Sequence, residues 1–419
     1  MLFGVPVVLW LAGLLALYMA WAIGANDVAN AMGTSVGSGA LTLRRAVIVA
    51  GVLEFAGAFL VGGHVTDTVR KGILDADAVA THMDLLPFGM LGALAAAATL
   101  LVAATAFGLP ISTTHSIVGA IIGFGMVSMG AGAVEWGKVG QIAASWLTSP
   151  LIGGVLAFLT FNLTRWLILD REDPLAQVRR YGPFFYFFVF GLIGLVTLFK
   201  GLKNLNLDFD LPEALLLSAA LGLAGAVFGR FLIRRVKPTV IDPRGDRFRD
   251  VERVFVLLQI LTACSVAFAH GSNDVANAIG PLAAVIHSVG DASEYAKKAA
   301  VEPWMLVVGG LGIVLGLATW GYRVMETVGR RITELTPSRG FAAELAAALT
   351  IVLASRLGIP VSTTHILVGS VLGVGLARGI GALDLRVVGS ILVSWVATLP
   401  IAAALSVFFF HVFRSLLAP

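Results

Sequence analysis

Two short motifs, each present twice, hold most of the side chains in this sequence that could do chemistry. "GANDVANAMG" at 24–33 returns as "GSNDVANAIG" at 271–280, and "LPISTTHSIVGAIIGFGM" from 109 returns as "IPVSTTHILVGSVLGVGL" from 359. Asp27 and Asp274 sit at the inner edge of long apolar runs, where a carboxylate is costly unless it is paired or faces a polar cavity. Neither NDVANA motif contains Lys or Arg, so the expected partner is a bound Na⁺, a proton or a metal carried with a substrate. Asn26 and Asn30, like Asn273 and Asn277, are four residues apart, which places each pair of amides on one helical face. Amide and carboxylate oxygens suit a hard cation.

The second motif has the opposite polarity. A proline followed by hydroxyl residues at the head of an apolar run is a helix-start signal, and free N–H groups at a helix N-terminus backed by hydroxyls form an oxyanion site. Ser112, Thr113 and Thr114, and again Ser362, Thr363 and Thr364, are the expected donors. His115 and His365 are read as local hydrogen-bonding groups that orient the hydroxyls, since no second ligand follows at metal-binding spacing. Glu54 and Glu344 also lie within apolar runs, where acids are usually functional. The repeat offset sets Leu94 opposite Glu344, so the two acids are expected to differ in role, with coupling the candidate.

The elements that must hold these groups are membrane helices. The 419-residue chain is 58% hydrophobic and 13% charged, with a mean hydropathy of +0.91, against globular averages of roughly 45–50% apolar and about 25% charged. A net charge of +4 gives nucleic-acid binding no support, and the lone Cys264 excludes an intrachain disulfide framework. Apolar runs near 5–23, 44–63, 87–107, 150–169, 183–200, 211–234, 250–269, 303–321, 340–357 and 387–413 are about the roughly 20 residues that a spanning helix needs. The expectation is an all-α multi-pass membrane protein of about 10 spanning helices, with two shorter broken or re-entrant segments at 112–131 and 362–378. The N-terminus lacks a cationic region and a small-residue cleavage site, so the first run is read as a retained helix.

Ordered motif pairs at offsets of 247 and 250, with "SW" at 145 returning at 394, mark two homologous halves. Residues 1–169 form the first repeat, 170–249 a connection and 250–419 the second repeat. Lys and Arg collect in cytoplasmic loops, which puts the basic stretch 234–253 and Arg165, Arg171, Arg179 and Arg180 inside, and the acidic stretch 204–213 outside. Counting 112–131 as one crossing places Arg44 and Arg45 inside, Asp67, Asp75, Asp77 and Asp84 outside, and the N-terminus outside. The second half then enters from the opposite face, as in inverted-topology transporters with a midplane site at the repeat interface.

The quoted motifs resemble the paired signatures of the inorganic phosphate transporter family, the Pit-type sodium- or proton-coupled phosphate symporters. The resemblance covers both halves, and residues 170–249 are compatible with the family's variable centre. It implies a homodimeric symporter of the plasma (cell inner) membrane with both termini extracytoplasmic. It places Asn26, Asp27, Asn273 and Asp274 in the ion and phosphate site and the two Ser-Thr-Thr clusters on phosphate; the residue chemistry of the motifs adds Na⁺ at Asp27 and Asp274, with Asn30 and Asn277 beside it. Glu54 and Glu344 resemble acidic positions the family also uses. Phosphate would meet two fixed carboxylates and no fixed cation in the motifs, so a co-transported Na⁺ or H⁺ must accompany it; no other cofactor is expected. Sulfate, a metal–phosphate complex and passive anion conduction are the alternatives. An intramembrane aspartyl protease is disfavoured, because both aspartates follow asparagine in duplicated NDVANA rather than standing in Tyr-Asp and Gly-x-Gly-Asp motifs.

Overall fold

The computed structural model describes residues 6–63, 73–198, 209–236, 248–289, 301–356 and 361–418. Asp67, most of the basic stretch 234–253, the start of 204–213 and Pro360 lie outside the described residues. The chain is helical where described, apart from short connections and one isolated bridge between Leu74 and Val134.

In the first part of the chain α1 runs Val7–Asp27, α2 Ala29–Gly37, α3 Leu43–Val61, α4 Ala76–Thr81, α5 Leu86–Ala106, α6 Thr113–Ser128 and α7 Trp136–Thr164. Two helices follow, α8 at Pro174–Val196 and α9 at Leu211–Arg235. The remainder is α10 at Arg249–Val289, α11 at Pro303–Trp320, α12 at Tyr322–Glu326, α13 at Pro337–Arg356, α14 at Thr363–Ala377 and α15 at Leu385–Leu417.

Helix starts follow local chemistry. The Thr42 hydroxyl accepts the Arg45 N–H at the head of α3, and Asp210 and Glu213 form a reciprocal capping box on α9. Ser112 and Ser362 cap α6 and α14 by accepting the N–H of His115 at 3.2 Å and of His365 at 3.3 Å. Gly130 and Gly379 hold φ of 91° and 105° just before matching tight turns at Ala131–Ala133 and Ile380–Ala382, a backbone region that a side chain disfavours.

Eight helical stretches among the described residues are long and apolar enough to cross a membrane, and α6 and α14 are shorter apolar helices. The helices expected at 44–63 and 183–200 also form, as α3 and α8, but Arg44, Arg45 and Glu54 in the one and Arg179 and Arg180 in the other reduce their apolar character. The boundaries differ most at the motifs. The first crossing continues from Val7 to Gly37 with only a local break at Val28, and α10 runs 41 residues straight through the second NDVANA. NDVANA contains no proline, and its Ala residues and i,i+4 amides suit a helix, so the polar motif does not end one.

Packing joins helices that lie far apart along the chain. Helix α1 lies along α11 while α10 lies along α3, and α6 lies along α15 while α7 lies along α14. Small residues permit the closest approaches. Gly24 lies against the carbonyl of Ile313, and Gly271, at the same place in the second motif, against the carbonyl of Glu54. Gly119 and Gly123 face the backbone of Leu399 and Ala403, and Gly369 and Gly373 face that of Pro150 and Gly154. Lipid offers no hydrophobic drive for helix association, so close packing of this kind carries it. The outer faces are aliphatic: Leu147, Leu151 and Val155 on α7 and Val393 and Val396 on α15 are exposed.

Candidate functional site

This packing brings both copies of both motifs to one buried place. Asp27 is the last residue of α1, and its carboxylate receives bonds from three side chains. Thr113, second hydroxyl of its own half's cluster, donates to Oδ2; Asn30 donates to Oδ1; and Thr364 of the other half donates to Oδ1 at 2.6 Å. The Asn30 amide also reaches the Thr364 hydroxyl at 2.9 Å, while its own Oδ1 is buried without a partner. Asp274, midway along α10, accepts from Thr363 at 3.2 Å and from the Asn273 amide at 2.8 Å. Both aspartates are buried. Asn277 is buried with its Nδ2 unpartnered.

Asn26 is placed differently. Its amide donates to Thr105 Oγ1 at 2.9 Å and to the Leu109 carbonyl at 3.0 Å, and its Oδ1 accepts the Ile111 N–H at 3.2 Å. It therefore anchors the turn that leads into α6. Ser112 and Ser362 spend an oxygen lone pair on capping and keep the hydroxyl hydrogen to donate. Thr114 is buried beside them at the head of α6.

The two intramembrane glutamates occupy distinct surroundings. Glu344 is wholly buried, and Thr34, Ser35 at 2.8 Å and Thr262 at 2.8 Å all donate to its carboxylate. Glu54 meets an imidazole: its Oε2 is 2.8 Å from His270 Nδ1. The other ring nitrogen, Nε2, lies 2.7 Å from Asp274 Oδ2 and 3.8 Å from Asp27 Oδ2. Among the described residues, every ion pair to Asp27, Glu54 or Asp274 comes from His270.

His270 is the central residue that the motifs alone did not single out. The signal was a lone histidine one helical turn before Asp274, at the i,i+4 spacing that shares a face. Thr105, Thr34, Ser35 and Thr262 were likewise missed, since hydroxyls scattered through apolar helices carry no pattern of their own. His115 and His365 sit behind the site. Their rings pack 4.3 Å apart, each lies 3.6 Å from a tryptophan, Trp146 and Trp395 respectively, and His365 Nδ1 is 3.2 Å from the Trp146 carbonyl. They line an apolar cavity of about 810 Å³ between α7, α14 and α15.

The residues at Asp27 fit a hard cation. One carboxylate, an orphaned buried amide oxygen and two hydroxyl oxygens form an oxygen-rich pocket. The start of α6 delivers N–H groups and hydroxyls to the same place, which suits an oxyanion.

Residues 23–406 match the model of the phosphate transporter family. The chain is 46% identical over 407 residues to a Haemophilus influenzae protein described as a candidate phosphate permease, covering 97% of each chain. It is 43% identical over 429 residues to the inorganic phosphate transporter 2-1, chloroplastic, of Arabidopsis thaliana, covering 97% of this chain and 72% of that protein. Its fold is similar to the solved structure of a sodium-dependent phosphate transporter, with a TM-score of 0.87 and 40% identity over 98% of this chain and 99% of the other.

Proposed function

The chain belongs to the phosphate transporter family, and from that premise we propose that it is a symporter that moves inorganic phosphate with Na⁺, or with a proton, by alternating access. One observation carries this reading: Asp27 is hydrogen-bonded by Thr113 of its own half and by Thr364 of the other. The acid that would hold a cation and the hydroxyls that would hold an anion are thus the same cluster, so each ligand changes the other's surroundings.

Phosphate brings one to two negative charges to a place that already holds Asp27, Asp274 and Glu54. A cation at Asp27 and Asn30 offsets that repulsion, and one at Asp274 and Asn277 does so from the second motif. Thr113, Thr114, Thr363 and Thr364, with the first-turn N–H groups of α6 and α14, then turn toward phosphate. Binding of either ligand favours the other, as linkage requires. Residues 1–169 and 250–419 act as inverted repeats around this point, with 170–249 as the connection, and the halves expose it alternately to each face. The solved relative is a sodium-dependent phosphate transporter, which favours Na⁺ as the coupling ion. The proposal includes a homodimer in the plasma membrane with both termini outside.

The test is uptake of labelled phosphate into proteoliposomes with Na⁺, proton and divalent-metal gradients imposed one at a time. Accumulation against a phosphate gradient that follows Na⁺ or H⁺ supports symport. Uptake that only ever equilibrates identifies a passive channel, and preference for labelled sulfate overturns the substrate.

A further inference from the structure

We propose that His270, Asp27 and Asp274 form a binding site for one divalent transition-metal ion. His270 Nε2 and one oxygen from each aspartate all lie within 4.8 Å of one another, wholly buried. One imidazole nitrogen with two carboxylate oxygens is a ligand set for zinc, cobalt or manganese, whereas an alkali ion has no use for the nitrogen.

Three further observations bear on the occupant. The opposite ring nitrogen, Nδ1, is 2.8 Å from Glu54 Oε2, the carboxylate–histidine contact that fixes the tautomer of metal-binding imidazoles. With Nδ1 committed to Glu54, Nε2 is the ring nitrogen that faces the aspartates, 2.7 Å from Asp274 Oδ2 and 3.8 Å from Asp27 Oδ2. At such distances a proton or a metal ion must stand between the nitrogen and the carboxylates, and a divalent ion would displace that proton on binding. Finally, the duplicated fold does not need these polar groups for packing. Gly24 against Ile313 corresponds to Gly271 against Glu54, so Ile313 occupies the place of Glu54 and Ile23 that of His270. Only one half carries the imidazole and its orienting acid.

The inference rests on reading Asp27 and Asp274 as cation-facing groups, and it adds an ion that would compete there with the monovalent one. It is tested on the full chain, purified in detergent without phosphate, by titrating Co²⁺ and following its visible absorption. One Co²⁺ per chain is expected, with bands of a nitrogen-containing site, displaced by Zn²⁺ and untouched by a large excess of Mg²⁺. His270→Ala should abolish the bands. Glu54→Gln, which keeps the shape and acts only through the ring, should weaken binding about 10–100-fold. Should His270→Ala fail to fold, the Glu54→Gln shift and the wild-type spectrum still decide. Absence of Co²⁺ binding, equal binding in the His270 or Glu54 variants, or equal competition by Mg²⁺ would overturn the proposal and leave a proton on Nε2 as the sole bridging charge. Sodium-driven phosphate uptake by the same preparation separates the two readings, since intact uptake without Co²⁺ binding removes the metal site and keeps the symporter.

Discussion

Asp27 draws hydroxyls from distant parts of the chain, since Thr113 and Thr364 both donate to its carboxylate. Asp27→Asn keeps the shape but removes the charge and turns an NH₂ toward groups that already donate. Coupled phosphate uptake should be lost while the protein still elutes as a folded species from size-exclusion chromatography; uptake with unchanged ion dependence would remove Asp27 from the cation site. Thr364→Val should weaken cation binding measured without phosphate by about 1.5–3 kcal/mol, the range for a hydrogen bond to a charged group, and calorimetry reads this directly. An unchanged cation affinity would confine the hydroxyl to the anion. The aspartates, the hydroxyls and their duplication were legible in the sequence, but that Thr364 serves Asp27 was not, because they are 337 residues apart and no spacing rule spans that distance. His270 was hidden for a different reason: a lone histidine in an apolar helix gains meaning only from Glu54 and Asp274, and Glu54 reaches it from another helix.

Helix contacts at glycine set how the elements can be changed. A methyl group on Gly271 would meet the carbonyl of Glu54, which belongs to backbone and cannot rotate away. Gly271→Ala should therefore lower stability by about 1–3 kcal/mol, the usual cost of overpacking, seen as a reduced thermal midpoint in detergent. Gly13→Ala on α1, with nothing near its would-be methyl, should be neutral or stabilising by up to about 1 kcal/mol. Similar midpoints for the two would refute the close approach of α10 and α3. Apolar run length revealed most elements, since roughly 20 apolar residues read the same in sequence and in a helix. Helix ends at the motifs were not given by apolar periodicity. The helical path on through α2 to Gly37 and through α10 to Val289 follows from the helix-compatible residues of NDVANA, with its buried acids bonded by partners that periodicity does not report.

For the whole molecule, orientation is the property most open to test. In a Cys264→Ala background, a cysteine replacing Asp77 should react with an impermeant maleimide only from outside, and one replacing Arg44 only from inside. Labelling of both from one face would invalidate the loop-charge count and, with it, the inverted relation of the halves. The pairing of distant helices also bears on how the molecule is made. Helix α1 leaves the ribosome well before the helix it lies along, α11, which ends only at Trp320. At about 5–20 residues per second, the nascent chain waits roughly 15–60 s with Gly24 facing lipid or a temporary neighbour. During that interval Asp27 has no Thr364 to bond it and depends on Asn30 and Thr113 of the earlier chain, so the acid meets its last donor only when α14 arrives.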